Sequence, residues 1–271
     1  MSATKVLLIG GHGKVALHLT PILLSKSWSV TSLIRNPAHE ADIKAIAQNQ
    51  PGNLDFAFDS LDEVKSVSHA EKVLERVDPD IVVWSAGAGG KGGAERTKQI
   101  DEVAAKYYIS AAIAREKVKK FLMVSYIASR RGRPAWWNDE DAKAAEHVNT
   151  KVLPAYFAAK VEADEHLAAL AHQRNQKDKA FQAICLRPGT LKDRDCSGKV
   201  ALGKTSARGE VSRETVAKVA AKLLERDDVR GWWDLLEGED DMDAAIERLA
   251  KEGWDGIDGE DLERIYGRAA L

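Results

Sequence analysis

The 271-residue chain holds only two cysteines, Cys185 and Cys196. Two are too few for a disulfide framework, and they stand in no zinc-ligand spacing. Cys185 lies in an apolar, strand-like stretch and reads as a small buried hydrophobe. The seven histidines are scattered, with no H-E-x-x-H or similar pair, so no metal site is expected. No run approaches the roughly 18 apolar residues of a membrane span. Charge of one sign is not in excess either: 40 Lys and Arg stand against 42 Asp and Glu, a formal net charge of -2. That balance argues against a nucleic-acid or membrane-surface partner and leaves a small molecule as the expected one. Strand-like sequence begins within four residues of Met1, so no signal peptide is expected. A soluble cytoplasmic protein in a reducing compartment is the expectation.

Strand-like and helix-like segments alternate along the chain. Residues 5–9, 29–34, 53–58, 81–85, 120–125 and 181–186 are short and rich in β-branched or aromatic residues. The helical period is clearest over residues 95–117, where Ile100, Val103, Ala104, Tyr107, Tyr108 and Ala111 recur on one face. Such alternation implies an α/β fold, a doubly wound parallel sheet with helices on both faces. Beyond Leu186 the pattern loosens. Arg187-Pro188-Gly189 reads as a turn, residues 215–226 as a helix capped by Ser212, 231–236 as a strand and 241–252 as a last helix. Residues 1–237 are therefore expected to form one domain. Residues 238–271, strongly acidic, are expected to be a small, solvated helical extension of it.

Residues 5–16 carry the most specific local signal. The apolar run Val6 to Ile9 ends in Gly10-Gly11-His12-Gly13-Lys14-Val15-Ala16, followed at once by helix-like sequence. This is the G-x-x-G-x-x-G/A form of the dinucleotide-binding turn of a Rossmann-type sheet. Gly10 allows a sharp exit from the strand, Gly13 lets backbone approach a pyrophosphate, and Ala16 lets helix pack close on strand. The new helix aims free N–H groups at the phosphates. The second strand ends at Arg35, near where an NAD-binding protein carries an acid for the ribose hydroxyls. An arginine suits a 2′-phosphate, so NADP(H) is the expected cofactor.

Tyr156-Phe157-Ala158-Ala159-Lys160 is a Y-x-x-x-K segment, preceded by Pro154 at a plausible helix start. Steps of four and three from Tyr156 reach Lys160, Ala163, Leu167 and Leu170, one stripe facing the sheet. A nearby ammonium favours phenolate over phenol, so Lys160 is expected to bring the Tyr156 pKa down toward neutrality. Tyr156 would then exchange a proton with a carbonyl or alcohol oxygen. Ser125, at the end of the fifth strand, would orient that carbonyl.

Taken in order, the glycine turn, Arg35-Asn36-Pro37, Asp59-Ser60, Ser85-Ala86-Gly87, Val124-Ser125, Tyr156-x-x-x-Lys160 and Arg187-Pro188-Gly189 resemble the atypical short-chain dehydrogenase/reductases. The likeness is to their NAD(P)-binding, NmrA-like and epimerase-like branch and covers about residues 3 to 237. It implies that Gly10, Gly13 and His12 hold the pyrophosphate, with Gly11, Lys14 and Val15 in the same turn. It implies Arg35 at the 2′-phosphate, Asp59 and Ser60 by the adenine, and Ser85, Ala86 and Gly87 along the cofactor. Pro188 would lie near the nicotinamide, beside Lys160, with Ser125, Tyr156 and Lys160 as the catalytic set. The family's usual Asn on the fourth helix is missing; Asp101 stands in about that region. The implied activity is NADP(H)-dependent oxidation or reduction of a small carbonyl or alcohol. A nucleotide sugar-like epimerase or dehydratase and a non-catalytic NADP(H) sensor are the alternatives. Residues 130–150, with Trp136 and Trp137, would be either a substrate lid or an insertion packed on the body or on a second subunit of a homodimer.

Overall fold

The first strand, β1 (Lys5–Ile9), explains the layering. Val6 and Leu8 point into one apolar layer and Leu7 and Ile9 into the other, because successive strand side chains alternate. The structure is a computed structural model and describes residues 3–89 and 92–268. The parallel strands continue as β2 (Ser29–Ile34), β3 (Asn53–Phe58), β4 (Ile81–Trp84), β5 (Lys120–Val124) and β6 (Gln182–Pro188). After them come β7 (Thr190–Lys192), β8 (Lys199–Leu202), β9 (Glu210–Ser212), β10 (Gly231–Glu237) and β11 (Asp240–Asp241). The described residues form a nine-stranded sheet in the order β11-β8-β10-β6-β5-β4-β1-β2-β3, while β7 and β9 pair separately. β1 to β6 and β10 are mutually parallel; β8 runs antiparallel to β10. The run 3-2-1-4-5-6 is that of a Rossmann sheet, whose ligand crevice opens where the order reverses, here between β1 and β4.

Ten α-helices are described: α1 (Lys14–Ser25), α2 (Glu40–Ile46), α3 (Val67–Val77), α4 (Gly93–Thr97), α5 (Ala105–Ala114), α6 (Asp139–His147), α7 (Pro154–Asn175), α8 (Arg213–Glu225), α9 (Met242–Lys251) and α10 (Leu262–Tyr266). α1, α8 and α9 cover one face of the sheet; α3, α5 and α7 cover the other. Ser212 caps α8 by accepting from the Thr215 N–H at 2.9 Å, and α7 begins at Pro154. No described helix is long and apolar enough to cross a membrane.

The structure departs from the sequence reading in three places. The helix expected over 95–117 is α4, a π-helical stretch (Lys98–Ala104) and α5. The wider π turn brings Asp101 inward beside Ile100 and Ala104. Arg187 and Pro188 belong to β6 rather than to a turn. Residue 187 can remain in the strand because its buried guanidinium has polar partners on every side, described below. The acidic tail is not simply solvated: Met242, Ala245, Ile246 and Leu249 of α9 enter the core. α10 is tied to α7 by Arg264, whose guanidinium meets both oxygens of buried Glu165 at 2.8 and 2.6 Å.

Candidate active site

At the switch point the glycine turn is shaped by contacts that exclude side chains. Gly10 has φ +83°, and a Cβ there would lie 2.7 Å from the Ala86 backbone in the loop after β4. A Cβ on Gly11 would meet the Ser32 hydroxyl oxygen at 1.7 Å. The Gly10 and Gly11 N–H groups both donate to the Leu33 carbonyl, anchoring the turn on β2. Gly13 caps α1 without a side chain, and no acidic residue occupies the helix's first turn. The helix therefore presents bare N–H donors and the positive end of its dipole to the crevice, as an anionic diphosphate requires. A Cβ on Gly13 would stand 3.0 Å from the Gly10 carbonyl and 3.3 Å from that of Ser85, crowding that approach. These features fit a bound dinucleotide.

The crevice has a volume of about 280 Å³. Gly10, Gly11, His12 and Gly13 line it together with Ser85, Ala86 and Gly87, and Arg35 and Asp59 line it as well. His39, Asp62 and Arg96 complete the rim, and the sequence reading had not singled them out. Arg96 grips Asp62 with Nε at 2.7 Å from one oxygen and a terminal nitrogen at 3.1 Å from the other. Arg35 adds a contact at 3.0 Å. These guanidiniums, Arg96 foremost, hold the Asp62 carboxyl below its ordinary pKa. Two cations thus share one carboxylate. His12 stacks on His39 with centroids 3.7 Å apart and contacts Asp42 at 2.9 Å, so its ring is placed by α2 as well as by the turn. Asp59 is locked by the Tyr108 hydroxyl and His69 Nε2, each at 3.0 Å. Ser60 donates its N–H to Asp59 and accepts the Glu63 N–H at its carbonyl. Lys14 turns away to Asp193 at 2.5 Å, and Val15 packs in the core.

A second cavity, of about 510 Å³, opens at the ends of β5 and β6 on the same sheet edge. Ser125, Tyr126, Tyr156 and Pro188 line it, with Ile127, Val148, Leu153 and Leu191 among its apolar walls. The half-buried Tyr156 ring lies 5.1 Å from that of Tyr126. Tyr126 donates to Asn149 Oδ1 at 2.7 Å. The Tyr156 hydroxyl has no hydrogen-bond partner among the described residues.

One electrostatic expectation is corrected. The Tyr156 pKa lies well above its ordinary value: burial raises it most, followed by the fields of Asp101, Tyr126 and Asp164. The Lys160 side chain is fully buried, and its ammonium donates to the Val124 carbonyl at 3.1 Å rather than to the Tyr156 hydroxyl. Lys160 also faces Asp101, whose carboxyl is raised by burial and partly lowered by that ammonium. Asp101 Oδ2 accepts the Ala88 N–H at 3.0 Å, which braces the loop after β4.

Beneath Ser125 lies a buried ionic chain. The Ser125 hydroxyl donates to Asp164 Oδ2 at 2.5 Å, and that of Ser129 donates to the same oxygen at 2.7 Å. Arg187 stands 3.5 Å from Asp164 and donates to Asp234 at 2.8 Å and to the carbonyls of Ser129 and Ile127. Its guanidinium lies 4.0 Å over Trp232. Arg130 reaches the other oxygen of Asp234 at 2.9 Å. The tryptophans of the 130–150 segment pack on the body: Trp137 donates to the Thr205 carbonyl, and Trp136 sits 5.5 Å from Trp254. Ala144 and Ala145 of α6 meanwhile face the second cavity.

The sequence profile of NAD(P)H-binding domains matches residues 10–227. A UPF0659 protein of Schizosaccharomyces pombe is 33% identical over 219 residues, which span 79% of this chain and 82% of the yeast protein. An uncharacterized sugar epimerase of Bacillus subtilis, YhfK, is 28% identical over 249 residues, covering 90% of this chain and 100% of its own. Among solved structures, a Bacillus halodurans protein proposed to be an NAD-dependent epimerase/dehydratase superposes with a TM-score of 0.71 at 25% identity, over 91% of this chain and 100% of that one.

Proposed function

The chain belongs to the NAD(P)H-binding family, and we propose that within it this protein is an NADP(H)-dependent oxidoreductase acting on a small carbonyl or alcohol. The observation that carries the reading is Tyr156: a phenol with no partner among the described residues, lining an apolar cavity on the sheet edge that also holds the glycine crevice. A nicotinamide, when bound, supplies or accepts a hydride. The chain then has to supply the proton. Tyr156 donates to the carbonyl oxygen as negative charge develops there; like any phenol it is protonated at neutral pH, and its raised pKa keeps it so as pH rises. The bare α1 terminus and Gly13 take the pyrophosphate. Arg35 takes the 2′-phosphate, since Arg96 alone can keep Asp62 neutralised. Lys160 and Asp101 hold the loops after β5 and β4 in place between the two cavities.

The B. subtilis relative's name supports a second reading, epimerisation or dehydration, in which hydride leaves and returns with no net cofactor change. A binding-only sensor is the third. NADPH consumption followed by absorbance across aldehydes, ketones and a quinone separates them. Steady oxidation with at least one carbonyl is expected. Tight NADPH binding without consumption for any of them would contradict the proposed reaction.

A further inference from the structure

We propose that Ser125 meets the substrate as a hydrogen-bond acceptor, so that the cavity selects carbonyl compounds bearing a hydroxyl on the carbon next to the reacting carbonyl. The inference rests on the oxidoreductase reading and names its substrate class.

A serine hydroxyl has one proton to give and two lone pairs to offer. The Ser125 proton is given to Asp164, at 2.5 Å, in a bond to a fully buried carboxylate. Bonds of this charge-assisted kind are among the strongest a hydroxyl makes. The Asp164 oxygen it meets also accepts from Ser129, and Arg187 stands 3.5 Å away as counter-ion. Among the described residues, Asp164 is the acceptor that takes the Ser125 proton. What Ser125 turns to the cavity is therefore lone pairs. A carbonyl oxygen placed against it would face an acceptor, or would have to break the bond to Asp164. A substrate O–H would complete it.

Tyr156 is the complement. Its phenol is protonated, and its hydroxyl has no partner among the described residues, so it is a donor awaiting an acceptor. A donor and an acceptor at one cavity match a carbonyl flanked by a hydroxyl. Ile127, Ala128, Val148, Leu153 and Leu191 offer no hydrogen bonds from their side chains, while Tyr126 and Thr190 add hydroxyls elsewhere in the lining. A polyhydroxylated ligand would leave its further hydroxyls unsatisfied against the aliphatic walls. Of the lining arginines, Arg213 pairs with Asp193, and Arg208 sits at the exposed rim with Glu140. The part of the ligand against these aliphatic walls is accordingly apolar. A ketone without the hydroxyl would leave the Ser125 lone pairs desolvated and unmet, the situation in which binding sites discriminate most sharply.

The test compares 2-hydroxyacetophenone with 2-methoxyacetophenone, which have similarly activated carbonyls and nearly equal bulk but differ in the donor. NADPH oxidation is followed to give kcat and KM separately for wild type, Ser125→Ala and Asp164→Asn. Wild type is expected to favour the hydroxy ketone by about 10-fold or more in kcat/KM. Ser125→Ala is expected to bring the two ketones to near parity. Asp164→Asn, whose amide can donate to Ser125 and free its proton, is expected to shift preference toward the methoxy ketone. Should that variant not fold, Ser125→Ala carries the test. Equal use of both ketones by wild type, or a preference surviving in Ser125→Ala, overturns the inference and leaves the oxidoreductase reading standing. Absence of NADPH oxidation with these and all other carbonyls overturns both.

Discussion

Replacing Tyr156 by Phe is expected to lower kcat for carbonyl reduction by roughly 10²- to 10⁴-fold, the usual worth of a positioned proton donor. The fold should hardly notice. The ring keeps its contact with Tyr126 at 5.1 Å, and the lost hydroxyl breaks no hydrogen bond among the described residues, so thermal unfolding should stay within about 1 °C of wild type. The pH dependence follows from the direction of the shift. Burial, then Asp101, Tyr126 and Asp164, push the phenol's pKa up. An acid must be protonated to act, so reduction should hold its rate as pH rises through neutrality and fall only above that raised pKa. Oxidation, which needs the phenolate, should be slow at neutral pH and gain as pH rises. Steady-state kinetics of the two proteins across pH decide the matter. Wild-type kcat in Tyr156→Phe would remove the residue from the proposed reaction.

Asp234→Asn is expected to cost about 3–5 kcal/mol of folding stability, because it removes a buried counter-charge from Arg130 and one of the two carboxylates beside Arg187. The Asp234 side chain is wholly buried, those of Arg187 and Arg130 are at most 1% exposed, and its oxygens meet them at 2.8 and 2.9 Å. The arrangement is already under electrostatic stress. Burial and the field of Arg187 pull the Arg130 pKa down to about 10 even with Asp234 present. An amide can still accept one hydrogen bond but balances no charge. A loss of this size corresponds to a drop of about 10 °C in melting temperature for a chain of this length. Chemical denaturation measures it, and a change below about 1 kcal/mol would mean that the chain of charges under Ser125 is not structural.

The parts of the fold that could be read in the sequence are those whose signal is local. β1, β2 and β3 have the expected limits because turn residues bound short apolar runs. The glycine turn was readable because backbone geometry there admits almost nothing else: a Cβ at Gly10 or Gly11 collides with Ala86 or Ser32. What escaped depends on distant partners. Arg187 beside Pro188-Gly189 looks like a turn arginine until Asp234, 47 residues away, supplies its counter-ion. Asp164 lies one position from the stripe of Lys160, Ala163 and Leu167, and its burial is made tolerable by partners on other elements, Ser125, Ser129 and Arg187. Asp62 and Arg96 meet at the crevice rim from segments 34 residues apart. The π-helical stretch around Asp101 is invisible to a 3.6-residue period. One missed feature was in plain view: Met242, Ala245, Ile246 and Leu249 recur at helical spacing within the acidic tail, and charge obscured them.

A calorimetric titration of NADP⁺ against NAD⁺, for wild type and Arg35→Ala, tests directly whether the crevice between β1 and β4 takes NADP(H) in preference to NAD(H). Arg35 is 60% exposed in its side chain and can turn to a ligand without stranding Asp62, which Arg96 holds through both oxygens. NADP⁺ is expected to bind wild type at least about 10-fold more tightly than NAD⁺, a difference of about 1.4 kcal/mol. Arg35→Ala is expected to erase most of that difference while leaving NAD⁺ affinity near its wild-type value. Equal or tighter binding of NAD⁺ by wild type, or a preference for NADP⁺ that survives in Arg35→Ala, would contradict the assignment.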